Sequence, residues 1–181
     1  MRTADYITYF LACAGTVAGQ ALGKPSLNYL GLVNVTLGSA LDAGDVGLGQ
    51  QVTIPITGGT VSGPSVTGKV LSFGADYGSY DAQGFYHPDA RLNVQTDDGA
   101  LIYLQLFGTQ LENDDGQAGG HRGIVRVKYE TGHANYTWLN FVAATAIYEL
   151  PAAGQVTYLV ADIWEVFAID IDSVNDGAKH C

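Results

Sequence analysis

The chain has 181 residues, of which 47% are hydrophobic and 14% charged, with a formal net charge of −10. That is enough for one domain with a real core, and too apolar for a disordered chain or an acidic tail. The negative charge, with no Lys/Arg cluster to offset it, excludes a nucleic-acid backbone as partner and disfavours anionic membrane surfaces. No apolar run reaches the roughly 20 residues that a membrane-spanning helix needs.

At the N-terminus Arg2 precedes "YITYFLACAGTVA", which has the length of a signal-peptide apolar region, and Gly19 and Ala21 suit a cleavage site. Asp5 is out of place in such a signal, so residues 1–25 read as a signal peptide or as a short N-terminal helix. The first reading sends the protein along the secretory route, the second leaves it cytoplasmic. The triplets Asn34-Val35-Thr36 and Asn135-Tyr136-Thr137 fit the secretory route but also arise by chance. Cys13 and Cys181 lie near opposite ends, which is neither a disulfide framework nor a zinc pattern.

From Leu27 onward short runs rich in Val, Ile, Thr, Tyr and Phe alternate with Gly, Asp, Asn and Ser. They predict strands near 29–37, 51–57, 66–73, 90–96, 100–107, 123–130, 138–148 and 155–165. Residues 108–123, "GTQLENDDGQAGGHRG", predict a surface loop. Residues 26–167 form the predicted barrel domain, and 168–181 a C-terminal tail. In "LNVQTDDGALIYLQL" an Asp97-Asp98-Gly99 turn sets Leu92 opposite Leu104 and Val94 opposite Ile102 on an apolar face. Asn93 then faces Tyr103, and Arg91 faces Gln105. In "IVRVKYET" Val125, Val127 and Tyr129 share one side, with Arg126, Lys128 and Glu130 on the other. Val156, Tyr158, Val160, Asp162 and Trp164 also share a side. About eight such strands predict an all-β antiparallel barrel with a lumen. "WLNFVAATAIY" is apolar on both sides and needs cover on both: the lumen, and a second layer, a helix or a partner subunit.

Three stretches in fixed order, "IPITGGTVSGPSVTGKVLSFGADYG", "HPDARLNVQTDDGALIYLQ" and "YETGHANYTWLN", resemble the DUF3237 (UPF0311) family, and in particular its fungal-type members, from about Asn28 to Trp164. The resemblance implies a calycin-like β-barrel, a homodimer, and for fungal members a setting in secondary metabolism. It assigns no reaction by itself. Gln51 and Tyr77 depart from the basic residue and the Trp usual at those positions, which puts the identity of the ligand in doubt.

Asp97 and Asp98 suit a hairpin turn, and a turn tip is too wet for a general base. Asp76, after an apolar strand and between glycines, is a stronger candidate proton carrier. His87, Asp89 and Arg91 lie within five residues: Arg91 would hold an enolate or carboxylate oxygen, with His87 or Asp89 moving protons. The plainer reading is an Asp89–Arg91 pair in the barrel wall. Asp162 sits on an otherwise apolar face, paired with Arg91, Arg126 or Lys128, or else acting as an acid in the cavity. Asn140 would donate to a carbonyl oxygen or make a cross-strand bond. Tyr103, Glu130, Tyr136, Trp138 and Trp164 complete the candidate ligand contacts, against the plainer reading that the aromatics pack a core.

His87, His121, His133 and His180 lack metal-ligand spacing, and no nucleophile elbow, P-loop or dinucleotide motif is present. The sequence therefore predicts chemistry without a cofactor or metal. The leading function is an isomerase or cyclase that shapes a small, largely apolar, polyketide-like metabolite and moves a proton. The alternatives are a non-catalytic small-molecule-binding barrel, a carrier or dirigent-like protein, and a structural barrel without a site.

Overall fold

A computed structural model describes residues 23–111, 121–150 and 157–169. Residues 1–22 of the expected signal or helix, 112–120 of the expected loop and 170–181 of the expected tail fall outside them, while residues 108–110 and 121–123, expected as loop, are strand.

Among the described residues eleven strands arise in chain order: β1 (Lys24–Leu37), β2 (Leu41–Asp45), β3 (Gln50–Ser62), β4 (Thr67–Asp76), β5 (Ser79–Tyr80), β6 (Tyr86–His87), β7 (Asp89–Thr96), β8 (Leu101–Gln110), β9 (His121–Glu130), β10 (Ala144–Leu150) and β11 (Tyr158–Ile169). Eight of them pair in the circular order β1-β11-β10-β9-β8-β7-β4-β3, and β1 pairs with β3 to close an antiparallel barrel. Closure leaves no long edge within this ring. Strands β2 and β5 both pair with β3, and β6 extends β5. None of these three short strands was legible in the sequence.

The Asp97-Asp98-Gly99 turn has Gly99 at φ 90°, in the left-handed region that glycine tolerates. It sets the expected register, Leu92 opposite Leu104 and Val94 opposite Ile102. These four side chains are buried, as are Val125, Val127 and Tyr129 of β9. Fully burying a Leu or Ile here contributes about 1.5–3 kcal/mol.

Strand β3 supplies Ile54 and Ile56 to one part of the interior and Val61 to another. Even and odd positions cannot share a face of a regular strand, so one residue must be added between them. The register with β1 slips at that place, where Thr36 faces Gly58 but Leu37 faces Ile56. The glycines of "ITGGT" make this bulge possible. Gly59 has φ 141°, and a Cβ there would collide with the Asn34 carbonyl.

The predicted strand 138–148 is corrected in its first half. Thr137–Phe141 forms a 3₁₀ helix and only Ala144–Leu150 is strand. Leu139 N donates to the Tyr136 carbonyl and Val142 N to that of Leu139. A run apolar on both sides has no period-2 signal to hold it as strand, and one turn of helix lets Leu139 alone plug the barrel while Phe141 stays exposed.

Candidate active site

The interior is not one hollow. Along β9, Val125 lines one cavity, Tyr129 lines another, and buried Val127 lies between them. The cavity on the Tyr129 side is walled mainly by Val61, Val94, Ile102, Leu104, Trp138 and Leu139, with Ser65 and Tyr129 also lining it. The cavity on the Val125 side has apolar walls from Val35, Ile56, Leu92, Leu106 and Ala161, with Asp76, Tyr86 and Tyr148 as its polar lining. Among the described residues, Asp76 is the one carboxylate lining either cavity.

Asp76 ends β4, where its neighbours across the sheet are Ile54 and Ala90, and it is 6% exposed. The Tyr86 hydroxyl donates to Oδ2 at 2.8 Å and the Asp89 backbone N–H donates to Oδ1 at 2.8 Å. Burial pushes its pKa up to about 6, and these two donors hold back a larger rise. A carboxyl at that value carries its proton part of the time near neutral pH, which suits it to giving and taking one.

Tyr86 reaches Asp76 because the loop between β5 and β6 is tied by one side chain. Asp81 Oδ1 accepts from the backbone N–H groups of Gln83 and Phe85, and Asp81 Oδ2 lies 2.8 Å from His87 Nε2. The Tyr86 hydroxyl lies against Gly78, where a Cβ would collide with it, and Tyr80 packs on the Tyr86 ring at 4.9 Å between centroids. Tyr148 lies across the sheet from Gly123, and a Cβ at Gly123 would strike the end of its ring. Tyr148 is 2% exposed and its hydroxyl has no hydrogen-bond partner among the described residues. Burial first, then the nearby Asp76 charge, pushes the pKa of Tyr86 and Tyr148 above the ordinary phenol value, so both stay neutral donors.

The remaining candidates do not join this group. Arg91 is exposed on the outer wall, where it pairs with Asp89 at 3.0 Å and lies over the Tyr77 ring. Asp162 is exposed on the outer face of β11 and accepts from the Tyr29 hydroxyl at 3.1 Å, with Trp164 edge-on to Tyr29. Neither Arg91 nor Asp162 lines the Asp76 cavity or the one on the Tyr129 side, so their expected grouping with Asp76 is corrected: their strand positions have the outward parity. Asp162 also pairs with Tyr29 rather than with the expected Arg91, Arg126 or Lys128. His87 is half-exposed and held by Asp81. Tyr103 is half-buried on the outer wall, among the outward positions of β8.

Glu130 pairs with Lys128 at 2.6 Å. Asn140 is exposed and bridges Thr131, accepting from its N–H and donating to its carbonyl, both at 2.9 Å. Glu130 and Asn140 line an open surface recess rather than the lumen. The Tyr136 hydroxyl donates to Asp98 Oδ1 at 3.0 Å. Trp138 lines the cavity on the Tyr129 side. Asp97 and Asp98 are exposed, and hydroxyl bonds from Thr96 and Tyr136 hold the Asp98 carboxyl below the usual range. The hairpin acids are thus structural ties that fasten the turn to β4 and to the segment before the 3₁₀ helix.

A family model described as "Protein of unknown function (DUF3237)" matches residues 25–166. The chain is a DUF3237 protein. The chain is 33% identical over 121 residues to a UPF0311 protein of Rhodopseudomonas palustris, covering 61% of this chain and 79% of that protein. A hydroalkoxylation enzyme of Penicillium herquei is 28% identical over 163 residues, covering 89% of this chain and 97% of that enzyme. A solved β-barrel-like protein from Acinetobacter baumannii has a TM-score of 0.71 at 28% identity, covering 80% of this chain and 97% of that one. In this DUF3237 chain sequence reasoning missed Tyr86 and Tyr148. Tyr148 shares the parity of buried Ala144 and Ala146, a signal that was available; Tyr86 sits in a two-residue strand, too short to show a face.

Proposed function

We propose that this protein is a cofactor-free cyclase or isomerase for a small, largely apolar metabolite of polyketide type, with Asp76 as its proton carrier. The observation that carries this reading is a single buried carboxyl, its pKa raised to about 6, in a cavity otherwise walled by carbon and two phenols. The Penicillium herquei hydroalkoxylation enzyme supports the reaction class and a fungal type of membership. Hydroalkoxylation adds an alcohol O–H across an alkene. In an intramolecular case protonated Asp76 gives its proton to an alkene carbon, the substrate hydroxyl oxygen forms the C–O bond, and the hydroxyl proton returns to the carboxylate. Atoms balance and the carboxyl is regenerated. Apolar walls hold the chain folded with its reacting atoms close, which supplies much of the acceleration.

The experiment is turnover of hydroxy-alkene substrates by wild type and Asp76→Asn. Loss of about 100-fold or more is expected, since general acid–base groups contribute roughly 10²–10⁴-fold. Activity should be highest below about pH 6 and fall above it, because the proton-bearing form acts first. Unchanged turnover in Asp76→Asn would remove the proposed role. The competing reading, a non-catalytic carrier, is favoured by the same carbon walls, and it predicts binding of such molecules without any turnover.

A further inference from the structure

We infer that the Asp76 cavity recognises a largely apolar, non-anionic ligand by one oxygen that accepts a hydrogen bond from the Tyr148 hydroxyl. The inference deepens the reading of this cavity as the working site and rests on it. Tyr148 is 2% exposed, it lines the cavity, and its hydroxyl has no partner among the described residues. A buried hydroxyl without a partner is unfavourable, and structures keep few of them without a use. Its position is not slack. The residue across the sheet is Gly123, and any side chain there would collide with the phenol end of the ring. The backbone of β9 thus acts as a seat for the ring.

The other oxygens nearby are already engaged. Tyr86 donates to Asp76, and Asp76 accepts on both oxygens. At pH 8, where Asp76 is ionised and has no proton to donate, that leaves Tyr148 as the free donor among the described residues of the cavity wall. A neutral phenol donates well to an ether, carbonyl or hydroxyl oxygen. No Lys, Arg or His is among the described lining residues, so an anion would enter with no counter-charge and would face Asp76. The remaining wall is aliphatic, so the rest of the ligand must be hydrocarbon or aromatic.

Anisole and ethylbenzene have nearly the same shape, but only anisole has an oxygen, and that oxygen can only accept. Titration of the full chain with each at pH 8, followed by amide NMR shifts of Ala90, Gly123 and Tyr148, reads this cavity separately from the one lined by Ile102 and Leu139. Wild type should bind anisole about five-fold tighter than ethylbenzene, as one net hydrogen bond allows, and should bind benzoate at pH 8 more weakly than either. Tyr148→Phe should bring anisole down to the affinity of ethylbenzene. Equal affinities in wild type, a preference that survives in Tyr148→Phe, or benzoate as the tightest probe would each overturn the inference. The wild-type ratio decides even if the variant does not fold. An anisole preference in a protein without turnover leaves this inference standing and removes the catalytic one; turnover without the preference does the reverse.

Discussion

At one end of the barrel Leu139 of the 3₁₀ helix closes the interior beside Ser65, Tyr129 and Trp138, with no carboxylate among the described lining residues; at the other, Asp76, Tyr86 and Tyr148 bring a buried acid and two phenols into it. The walls of both cavities draw on β1, β3, β7, β8, β9 and β11 and are mostly apolar. The difference lies in Asp76 of β4, Tyr86 of β6 and Tyr148 of β10, which line only one of them. A hairpin tied by Asp81 delivers Tyr86, and two glycines, Gly78 and Gly123, leave room for the ends of two phenol rings. At the opposite end the polar groups, Asp98, Thr96, Tyr136 and Thr131, are consumed by ties among loops. Closing the sheet is common to both ends, and the chemistry at one comes from Asp76 and Tyr148 of the ring strands together with Tyr86 of the added hairpin.

The sharpest break of this comparison is a pair of conservative changes. Asp76→Asn should lower turnover by about 100-fold or more, whereas Tyr129→Phe in the other cavity should leave it within about two-fold; equal losses in a steady-state assay would erase the contrast. Next comes pH. The Asp76 pKa is raised on folding, so the folded state holds its proton more tightly than the unfolded chain. Its stabilising effect is therefore complete below pH 3.8 and lost as pH rises through about 6. The rise from 3.8 to about 6 corresponds to about 3 kcal/mol at 1.36 kcal/mol per pKa unit. Urea unfolding across this window should show that loss in wild type and not in Asp76→Asn.

Leu139→Ala should destabilise by about 2–4 kcal/mol through lost burial and an enlarged cavity, with the Asp76 end still binding its probes; denaturant midpoints and the NMR titration test the two halves. Tyr136→Phe removes one hydroxyl tie to Asp98 and should lower stability by about 1 kcal/mol, read from the same unfolding curves. The smallest effects belong to the outer wall. Arg91→Ala and Asp162→Asn should change stability by less than about 0.5 kcal/mol, as exposed positions do, and should leave turnover within about two-fold. A large activity loss in either would move the site outside the barrel.

How far the site was legible follows from the local signals. Asp97-Asp98-Gly99 pins a hairpin by turn geometry alone, so the Leu92–Leu104 register could be read directly. Strict alternation in "IVRVKYE" marked Val125, Val127 and Tyr129 as interior. Asp76 was visible as an acid ending an apolar strand. The run from Trp138 to Val142 carried no alternation, so its helical turn was not legible, and the candidates reasoned from it, Asn140 and Trp138, fell outside the Asp76 cavity. Arg91 and Asp162 were placed on the right faces of their strands, but which face is the lumen is a property of the closed sheet.

The amino-acid sequence by itself determined the strands, the main turn and the barrel class, because alternation and turn chemistry act between residues close along the chain. Only the tertiary structure decided which acid is buried, because Asp76, Tyr86 and Tyr148 come from three strands that meet across the lumen. The split of the lumen into two cavities, and the match of each phenol to a glycine, depend on bulges and closure that no local pattern contains.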